Sequence, residues 1–287
     1  MTPQGCGGTS APWPISRSAC RALAREPRVG NSRVMCVLAF AWRAHPRWHL
    51  VVAGNRDELH DRPARPLARW DRPDHLLAGQ DLRSGGTWLG VSERGRFAVV
   101  TNLRGYGAPE PDRASRGALV TGLLTGEGRY ADPGAAALSD FNPFNLIVAD
   151  RERARFLSNR PEAIRSILAP GIYGLSNGAL DEPWPKTLRL KAILLDWIVD
   201  GGGRPEALLD GLREEALPDV GLRSAAPSDV PQEPPLSPIF IRNPVYGTRC
   251  GTVVAIDDTG RGVIVERRYT PAGEVAGETA LSFAWPC

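Results

Sequence analysis

Two groups of short apolar segments, separated by a helical region, most strongly constrain how this chain folds. Strand-like segments dominate residues 36–176 and return between residues 249 and 285. Between the groups, residues 185–199 repeat Leu, Ile and Trp at helical spacing after an initial proline, and a further helix is predicted over 204–216. Runs of strands interrupted by helices indicate an α+β fold with antiparallel sheets, not a regular βαβ repeat.

Hairpins account for several of these segments, because turn residues separate neighbouring strands by only a few positions. We find no internal repeat and no linker after residue 35, so residues 35–287 are predicted to form one domain. The predicted strands are 36–43, 48–54, 86–92, 96–102, 144–150, 154–158, 171–176, 249–257, 262–269 and 279–285, and the predicted helices are 115–125, 133–140, 185–199 and 204–216.

Composition sets residues 1–34 apart from the rest of the 287-residue chain. They are rich in Gly, Ser, Pro and Arg, and their five arginines and one glutamate give them a net charge of +4. Since the whole chain has a net charge of +3, the remaining residues carry −1. The basic balance therefore gives no reason to expect nucleic-acid binding. We expect residues 1–34 to be an upstream start chosen in error, with translation beginning at Met35, or else a disordered extension or a transit peptide.

Cysteine content and hydropathy bear on the cellular compartment in which the chain is expected to fold. Five cysteines are few, scattered and odd in number, which argues against a disulfide framework, and no CxxC pair suggests zinc. No stretch reaches 18 uninterrupted apolar residues, so no membrane span is predicted. We expect a cytoplasmic protein without a bound metal.

The segment "MCVLAFAW" places Cys36 at the start of the first strand, and the hairpin predicts its neighbours. If Arg43 and Trp48 flank the turn, Cys36 lies opposite Asn55, beside the tetrapeptide "NRDE" that ends at Glu58. A bulge could shift this pairing by one residue, and in either register a cysteine at a strand end would be surrounded by an amide, a guanidinium group and carboxylates. The bland alternative is an inert, buried cysteine in a core strand.

Removal of the methionine from a chain that starts at Met35 would leave Cys36 as the first residue. Cys36 would carry an amine with a pKa of about 7.7–8.0 beside a thiol with a pKa of about 8.5. A single residue would thus supply both nucleophile and base. A nearby Arg56 would favour the thiolate, and Asp57 would orient the amine.

Several ordered blocks carry a family resemblance: "MCVLAFAW", "VAGNRDELHDRP", "SGGTWLGVSERGRFAVVTNLR", "GLSNGALDEPWPK" and "YGTRCGTVV". Together they resemble the NRDE family, which includes the transport and Golgi organization protein 2 relatives. The resemblance covers residues 35–285. It implies the four-layer αββα sandwich of the N-terminal nucleophile hydrolases, with two antiparallel sheets between helical layers.

The resemblance to cysteine amidases within that superfamily also implies roles for individual residues. Cys36 matches the nucleophile and Asp57 the aspartate that steadies the amine. Asn102 matches an asparagine near the substrate carbonyl, Asn177 the asparagine of the oxyanion hole, and Arg249 an arginine near the nucleophile. The residues expected to bind substrate are Asn55, Arg56, Trp88 and Arg104.

The sequence departs from those amidases at Gly54, where they place an arginine directly before the second-strand asparagine. Arg56 is the candidate replacement, although we expect it to face the other way unless a bulge intervenes. The leading prediction is a cysteine amidohydrolase that acts on a linear amide and needs no cofactor. The alternative is a non-catalytic carrier of haem or an acyl-CoA lipid, with His60 or His75 as a haem ligand.

Overall fold

The computed structural model describes residues 36–132, 137–216 and 237–286, which form two antiparallel sheets and a few helices. The prediction for residues 1–34 lies outside the described residues. Sheet A has the strand order β10-β1-β2-β11-β12-β13, and sheet B has the order β3-β4-β5-β6-β7-β8-β9. The strands are β1 Val37–Trp42, β2 Trp48–Leu59, β3 Ala64–Arg69, β4 Leu76–Asp81, β5 Leu89–Ser92, β6 Arg96–Asn102, β7 Phe144–Ala149, β8 Ala154–Ser158, β9 Ile164–Leu168, β10 Gly171–Leu175, β11 Tyr246–Asp257, β12 Arg261–Tyr269 and β13 Val275–Ala284. The helices are α1 Arg116–Thr125, α2 Pro185–Val199 and α3 Leu208–Gly211.

Three apolar clusters show that these elements stack in four layers. The first cluster joins the facing sides of sheets A and B and includes Phe40 and Phe97. A second lies between sheet A and helices α2 and α3, with Leu194 at its centre, and a third lies between sheet B and helix α1, around Leu123. Alternate residues of each strand face opposite layers, as the two-residue period of a strand requires. The predicted αββα arrangement with two antiparallel sheets is confirmed.

The β1–β2 hairpin differs by one residue from the predicted register. Val37 pairs with Asn55 and Trp42 pairs with Leu50, so the prediction that Cys36 lies opposite Asn55 is wrong. The turn closes through the Arg43 backbone N–H, which donates to the carbonyl of His49 at 2.9 Å, one position further than expected. A shift of one residue changes which polar side chain stands beside Cys36.

Three strands were missed because their sequences lack a buried alternating face. Strands β3 and β9 form the two edges of sheet B, and both are mostly exposed. Strand β4, "LLAGQD", is buried only in its first half. Edge strands meet solvent on more than one side, so apolar periodicity does not mark them.

The helix predictions differ in outcome. Helices α1 and α2 lie within one residue of the predicted bounds. The helix predicted over 204–216 is shorter, comprising a 3₁₀ turn at Pro205–Ala207 followed by α3. Of the helix predicted over 133–140, residues 133–136 lie outside the described ranges, and Leu138–Asp140 form one 3₁₀ turn. Within the described ranges, no helix has the length and apolar content to cross a membrane.

A close backbone approach fixes the first turn of α1 against sheet B. A Cβ atom added at Gly86 would lie 2.2 Å from the carbonyl carbon of Gly117, so a larger residue at Gly86 would force the backbones apart. Gly86 precedes β5 and Gly117 is the second residue of α1. The "SGGTW" segment thus positions the start of this helix, and with it Arg116.

Candidate active site

Cys36 lies in a row of polar side chains that runs across sheet A. The β1–β2 pairing ends at Val37 opposite Asn55, so its continuation by one residue aligns Cys36 with Arg56. On the other side, continuing the β1–β10 pairing aligns Cys36 with Asn177. Residues directly opposite each other on one face have Cβ atoms about 4.5–5.5 Å apart. Three chain segments that are distant in sequence therefore meet at the start of β1.

Arg56 shares the face of Cys36, whereas Asn55 does not. Gly54 and Arg56 lie two residues apart on β2, so the expectation that Arg56 faces the other way is wrong. A Cβ atom at Gly54 would stand 2.8 Å from Cβ of Leu38, so an arginine does not fit there without a backbone shift. Arg56 is thus the guanidinium group that β2 presents towards sheet B.

Asn55 points towards the helical layer, and this corrects its predicted role in substrate binding. Its Nδ2 donates to the carbonyls of Leu212 and Ile239, both at 2.8 Å, and its side chain is fully buried. The amide therefore ties β2 to the segments that follow α3 and that precede β11. Asn55 supports the site from behind and does not line it.

Replacing Asn55 with alanine is expected to lower the free energy of unfolding by about 2–4 kcal/mol, because two buried carbonyls lose their donor. Urea unfolding measures the change. Asn142 is the matched control, since it makes two hydrogen bonds to the backbone of Glu110 at an exposed position. Asn142→Ala is expected to cost less than about 1 kcal/mol, and equal losses for the two variants would contradict this assignment.

The Cys36 thiol is held in its neutral form in this chain. The residue is 5 % exposed, and its carbonyl accepts a hydrogen bond from Ser176 Oγ at 2.7 Å. Burial, and then the negative charge of Asp57, raise the pKa of the thiol to about 12. The backbone N–H of Asp57 acts in the opposite direction and lowers the pKa of the thiol. Burial has the larger effect on the thiol pKa, so the thiol stays protonated near neutral pH.

Asp57 and Arg249 are positioned by an irregularity in β11. Thr248 pairs with Asp57 and Cys250 pairs with Arg56, so Arg249 is an extra residue in a β-bulge. Thr248 Oγ1 donates to Asp57 Oδ1 at 2.6 Å in a buried environment. The bulge turns Arg249 aside, and its Nη1 donates to the carbonyls of Leu59 and Arg62 at 2.8 and 2.9 Å. Burial, and then the charge of Arg56, lower the pKa of Arg249.

The charge of Arg56 is shared with a partly buried network of ion pairs that bridges the two sheets. Its Nη2 lies 3.2 Å from Asp81 Oδ2 and 3.5 Å from Glu58 Oε2. Arg62 Nε contacts the same two carboxylates at 2.5 and 3.6 Å. Two guanidinium groups therefore neutralise two carboxylates, and Arg56 is more firmly engaged with Asp81 and Glu58 than available for the Cys36 thiolate.

Asn102 and Asn177, which come from different segments of the chain, are adjacent in the structure. Asn177 Nδ2 donates to the backbone carbonyl of Asn102 at 2.7 Å, and the Arg104 backbone N–H donates to the Asn177 carbonyl at 2.9 Å. A carboxamide nitrogen carries two N–H bonds, and this hydrogen bond uses one of them. Trp88 packs against the apolar cluster between the sheets.

Cys250 lies on the same face as Cys36 but two strands away. Neighbouring strands are about 4.8 Å apart, so the two Cα atoms are separated by roughly 9.6 Å, too far for a disulfide without backbone movement. Burial and the charge of Glu266 raise the pKa of the Cys250 thiol well above its usual value. Cys250 is therefore a buried, protonated thiol.

A cavity of about 370 Å³ lies at the opposite end of the β1–β2 hairpin, lined by turn residues together with Arg151 and Asp258. Seven residue steps separate Cys36 from Arg43, or roughly 24 Å along the strand. The cavity is thus separate from the Cys36 site.

Sequence reasoning missed Arg116, the first residue of α1. Its Nη1 donates to the carbonyl of Pro143 at 3.0 Å, and the same carbonyl accepts the backbone N–H of Leu103, next to Asn102. Burial lowers the pKa of Arg116 to about 10. A negative charge on Cys36 is the next largest influence and raises it, Arg62 lowers it, and Glu58 raises it. The only signal in the sequence was an arginine near the start of a predicted helix, a position where a solvent-exposed arginine is common.

Comparisons with known proteins agree with the sequence motifs. The sequence model of the family described as Transport and Golgi organisation 2 matches residues 35–271. The chain is 34 % identical over 270 residues to the Transport and Golgi organization protein 2 homolog of Bos taurus, covering 85 % of this chain and 97 % of that protein. The homolog of Homo sapiens is 33 % identical over 258 residues, covering 81 % and 92 %.

Solved structures with a similar arrangement were also found. A mutant of the conjugated bile acid hydrolase from Clostridium perfringens matches with a TM-score of 0.48 and 8 % identity, covering 85 % of this chain and 92 % of that one. An N-acylethanolamine-hydrolyzing acid amidase ortholog from Caenorhabditis elegans matches with a TM-score of 0.39 and 11 % identity, covering 76 % and 91 %.

Proposed function

The chain belongs to the Transport and Golgi organisation 2 family, as its sequence motifs predict, and from that premise we propose that it is a cysteine amidohydrolase acting on a linear amide, with Cys36 as its N-terminal nucleophile. The observation that carries the proposal is the environment of the Cys36 sulfur. Cys36 stands in a row between Asn177 and Arg56, and the nearby backbone N–H of Asp57 lowers the pKa of its thiol. A core cysteine needs no such surroundings.

The reaction begins when the Cys36 sulfur attacks the carbonyl carbon of the amide. The α-amine of Cys36 takes the thiol proton and passes it to the departing nitrogen as the C–N bond breaks, leaving a thioester and a free amine. Water then attacks the thioester, with the same amine accepting a proton from it. Cleavage of the C–S bond releases a carboxylic acid and restores the thiol.

The surrounding residues have separate roles in this scheme. The remaining Asn177 N–H stabilises the oxyanion, and Asn102 supports Asn177 through its backbone carbonyl. Asp57, buried and bonded to Thr248, orients the amine of Cys36. Arg249 holds the carbonyls of Leu59 and Arg62, and so fixes the loop that carries the charge network.

A chain that retains Met35 is a dormant precursor in this proposal. The nitrogen of Cys36 is then an amide, which has no basic lone pair, and a thiol with a pKa of about 12 is almost entirely protonated near neutrality. Release of the amine removes both obstacles, because a terminal ammonium beside the thiol favours the thiolate and the new terminus is hydrated.

The high pKa of the Cys36 thiol also favours a second candidate function, a non-catalytic site that binds an acyl-thioester lipid or haem. The haem version has less support, because His60 Nε2 is already bonded to the Asn243 carbonyl at 2.9 Å. Retention of all biological activity by a Cys36→Ala variant would favour this carrier over the hydrolase.

The mature protein from its native host is expected to begin at Cys36. Intact mass and Edman sequencing check this, and a recombinant chain expressed from Met1 serves as the size reference. A mature protein that retains Met35 or any earlier residue contradicts the proposed mechanism, since no free amine would stand beside the thiol.

A further inference from the structure

Arg116 lies beside the proposed site without a carboxylate partner among the residues the structure describes. Its guanidinium group is held by the Pro143 carbonyl, on the Asn102 side of Cys36. In contrast, Arg56 and Arg62 share the carboxylates of Glu58 and Asp81. A partly buried cation that donates only to a backbone carbonyl keeps most of its charge for another anion.

Hydrogen bonds place the Arg116 guanidinium group relative to Cys36. The Pro143 carbonyl that it contacts also accepts the backbone N–H of Leu103, and the carbonyl of the preceding residue, Asn102, accepts Asn177 Nδ2. Asn177 in turn aligns with Cys36 when the β1–β10 pairing is continued.

The groups that affect the pKa of Arg116 agree with this placement. Burial acts most strongly, followed by Cys36, Arg62 and Glu58. Cys36 comes from β1 of sheet A, and the other two groups come from the end of β2 and the loop after it. Glu58 is already paired with Arg56 and Arg62, so it does not neutralise Arg116.

We propose that Arg116 forms an anion-binding subsite next to Cys36, and that the ligand cleaved there carries a carboxylate close to the bond under attack. A guanidinium group presents paired N–H donors that match the two oxygens of a carboxylate. The bond to Pro143 leaves Nε and Nη2 for this purpose. The substrate class follows from the proposed function, whereas the anion subsite itself does not require hydrolysis.

Alkylation of Cys36 by two reagents of nearly equal size tests the subsite. Iodoacetate carries a carboxylate and iodoacetamide a neutral amide. Each reagent's rate of reaction with Cys36 is divided by its rate with glutathione. In the wild-type chain this normalised rate is expected to be about tenfold higher for iodoacetate than for iodoacetamide, and the difference should shrink at high salt. Peptide mass spectrometry measures the adduct on Cys36, and Arg116→Gln is expected to remove the preference.

Two further variants keep this result interpretable. Arg116→Lys is expected to retain a reduced preference, which a merely structural role for Arg116 would not produce. Arg96→Gln is the matched control and should leave the ratio unchanged. Like Arg116, Arg96 donates to backbone carbonyls, those of Leu123 and Ala131, but it lies near the other end of α1. Equal normalised ratios in the wild-type and Arg116→Gln chains would overturn the proposal.

A binding measurement separates the subsite from the proposed function. Millimolar hexanoate, but not hexanamide, is expected to raise the Tm of Cys36→Ala, and the added change Arg116→Gln should abolish the shift. A shift that depends on Arg116, without hydrolysis by the wild-type protein, supports the subsite and rejects the hydrolase. If hexanoate does not raise the Tm of Cys36→Ala but the wild-type protein hydrolyses amides, the subsite is rejected and the hydrolase proposal stands.

Discussion

Replacing Cys36 with alanine is expected to lower kcat/KM for amide hydrolysis by at least about ten-thousand-fold, measured in a chain that begins at residue 36. The variant removes the sulfur that forms the thioester, while the amine, the Asn177 amide and the Asp57–Thr248 bond remain. A fluorogenic N-acyl anilide reports the release of the aromatic amine. The remaining rate is expected to reflect binding and oxyanion stabilisation only.

Cys250→Ala is the matched control for this loss. Cys250 is buried to a similar extent on the same face of sheet A, and it also lies beside Arg56. Its sulfur is two strands from Cys36, so its removal is expected to change kcat/KM by less than about twofold. Equal losses in both variants would point to damage of the sheet instead of loss of a nucleophile.

Removing residues 1–35 is expected to raise the rate of Cys36 alkylation by iodoacetamide at pH 7.5 by about 50- to 100-fold. A thiol with a pKa of about 12 is ionised about 3,000-fold less at this pH than one with a pKa of about 8.5. A thiolate of higher pKa is the stronger nucleophile, so the difference in reaction rate is smaller than the difference in ionisation. In the longer chain, the rate should keep rising with pH towards about 12, whereas in the shortened chain it should level off several units lower.

Cys250 provides an internal reference in the same experiment. Its pKa is raised by burial and by Glu266, neither of which depends on the chain terminus. Its alkylation rate is therefore expected to be the same in both chains. If Cys36 stays as slow as Cys250 after residues 1–35 are removed, the high pKa belongs to the sheet itself, and Cys36 is an inert core residue.

The α+β class with antiparallel sheets was predictable because most strands carry their own signal, whereas the four-layer arrangement followed only from the family resemblance. Helix α2 and strands such as β6 and β8 have the predicted bounds, since buried apolar residues recur at the period of the element. Strands β3 and β9 have no such signal, because their side chains are exposed at the edges of sheet B. Pairing register was less predictable, because it depends on where the Arg43–His49 turn closes.

The site was predictable only where a motif or a strand end marked it. "NRDE" and "GLSN" identified segments that do meet Cys36, but neither showed that Asn55 faces the helices while Arg56 faces sheet B. The Arg249 bulge depends on the pairing of β11 with β2, which are far apart in sequence. Arg116 lies on the Asn102 side of the site because Gly86 and Gly117 bring the start of α1 against sheet B.

The central claim is that the Cys36 sulfur forms a covalent acyl intermediate, and trapping that intermediate tests it most directly. A chain that begins at Cys36 is mixed with p-nitrophenyl hexanoate, quenched in acid and analysed by intact mass and peptide mapping. The account predicts one hexanoyl group per chain, on Cys36 and absent from Cys36→Ala. Acylation of other residues with Cys36 unmodified, or no adduct in a folded chain, would contradict it.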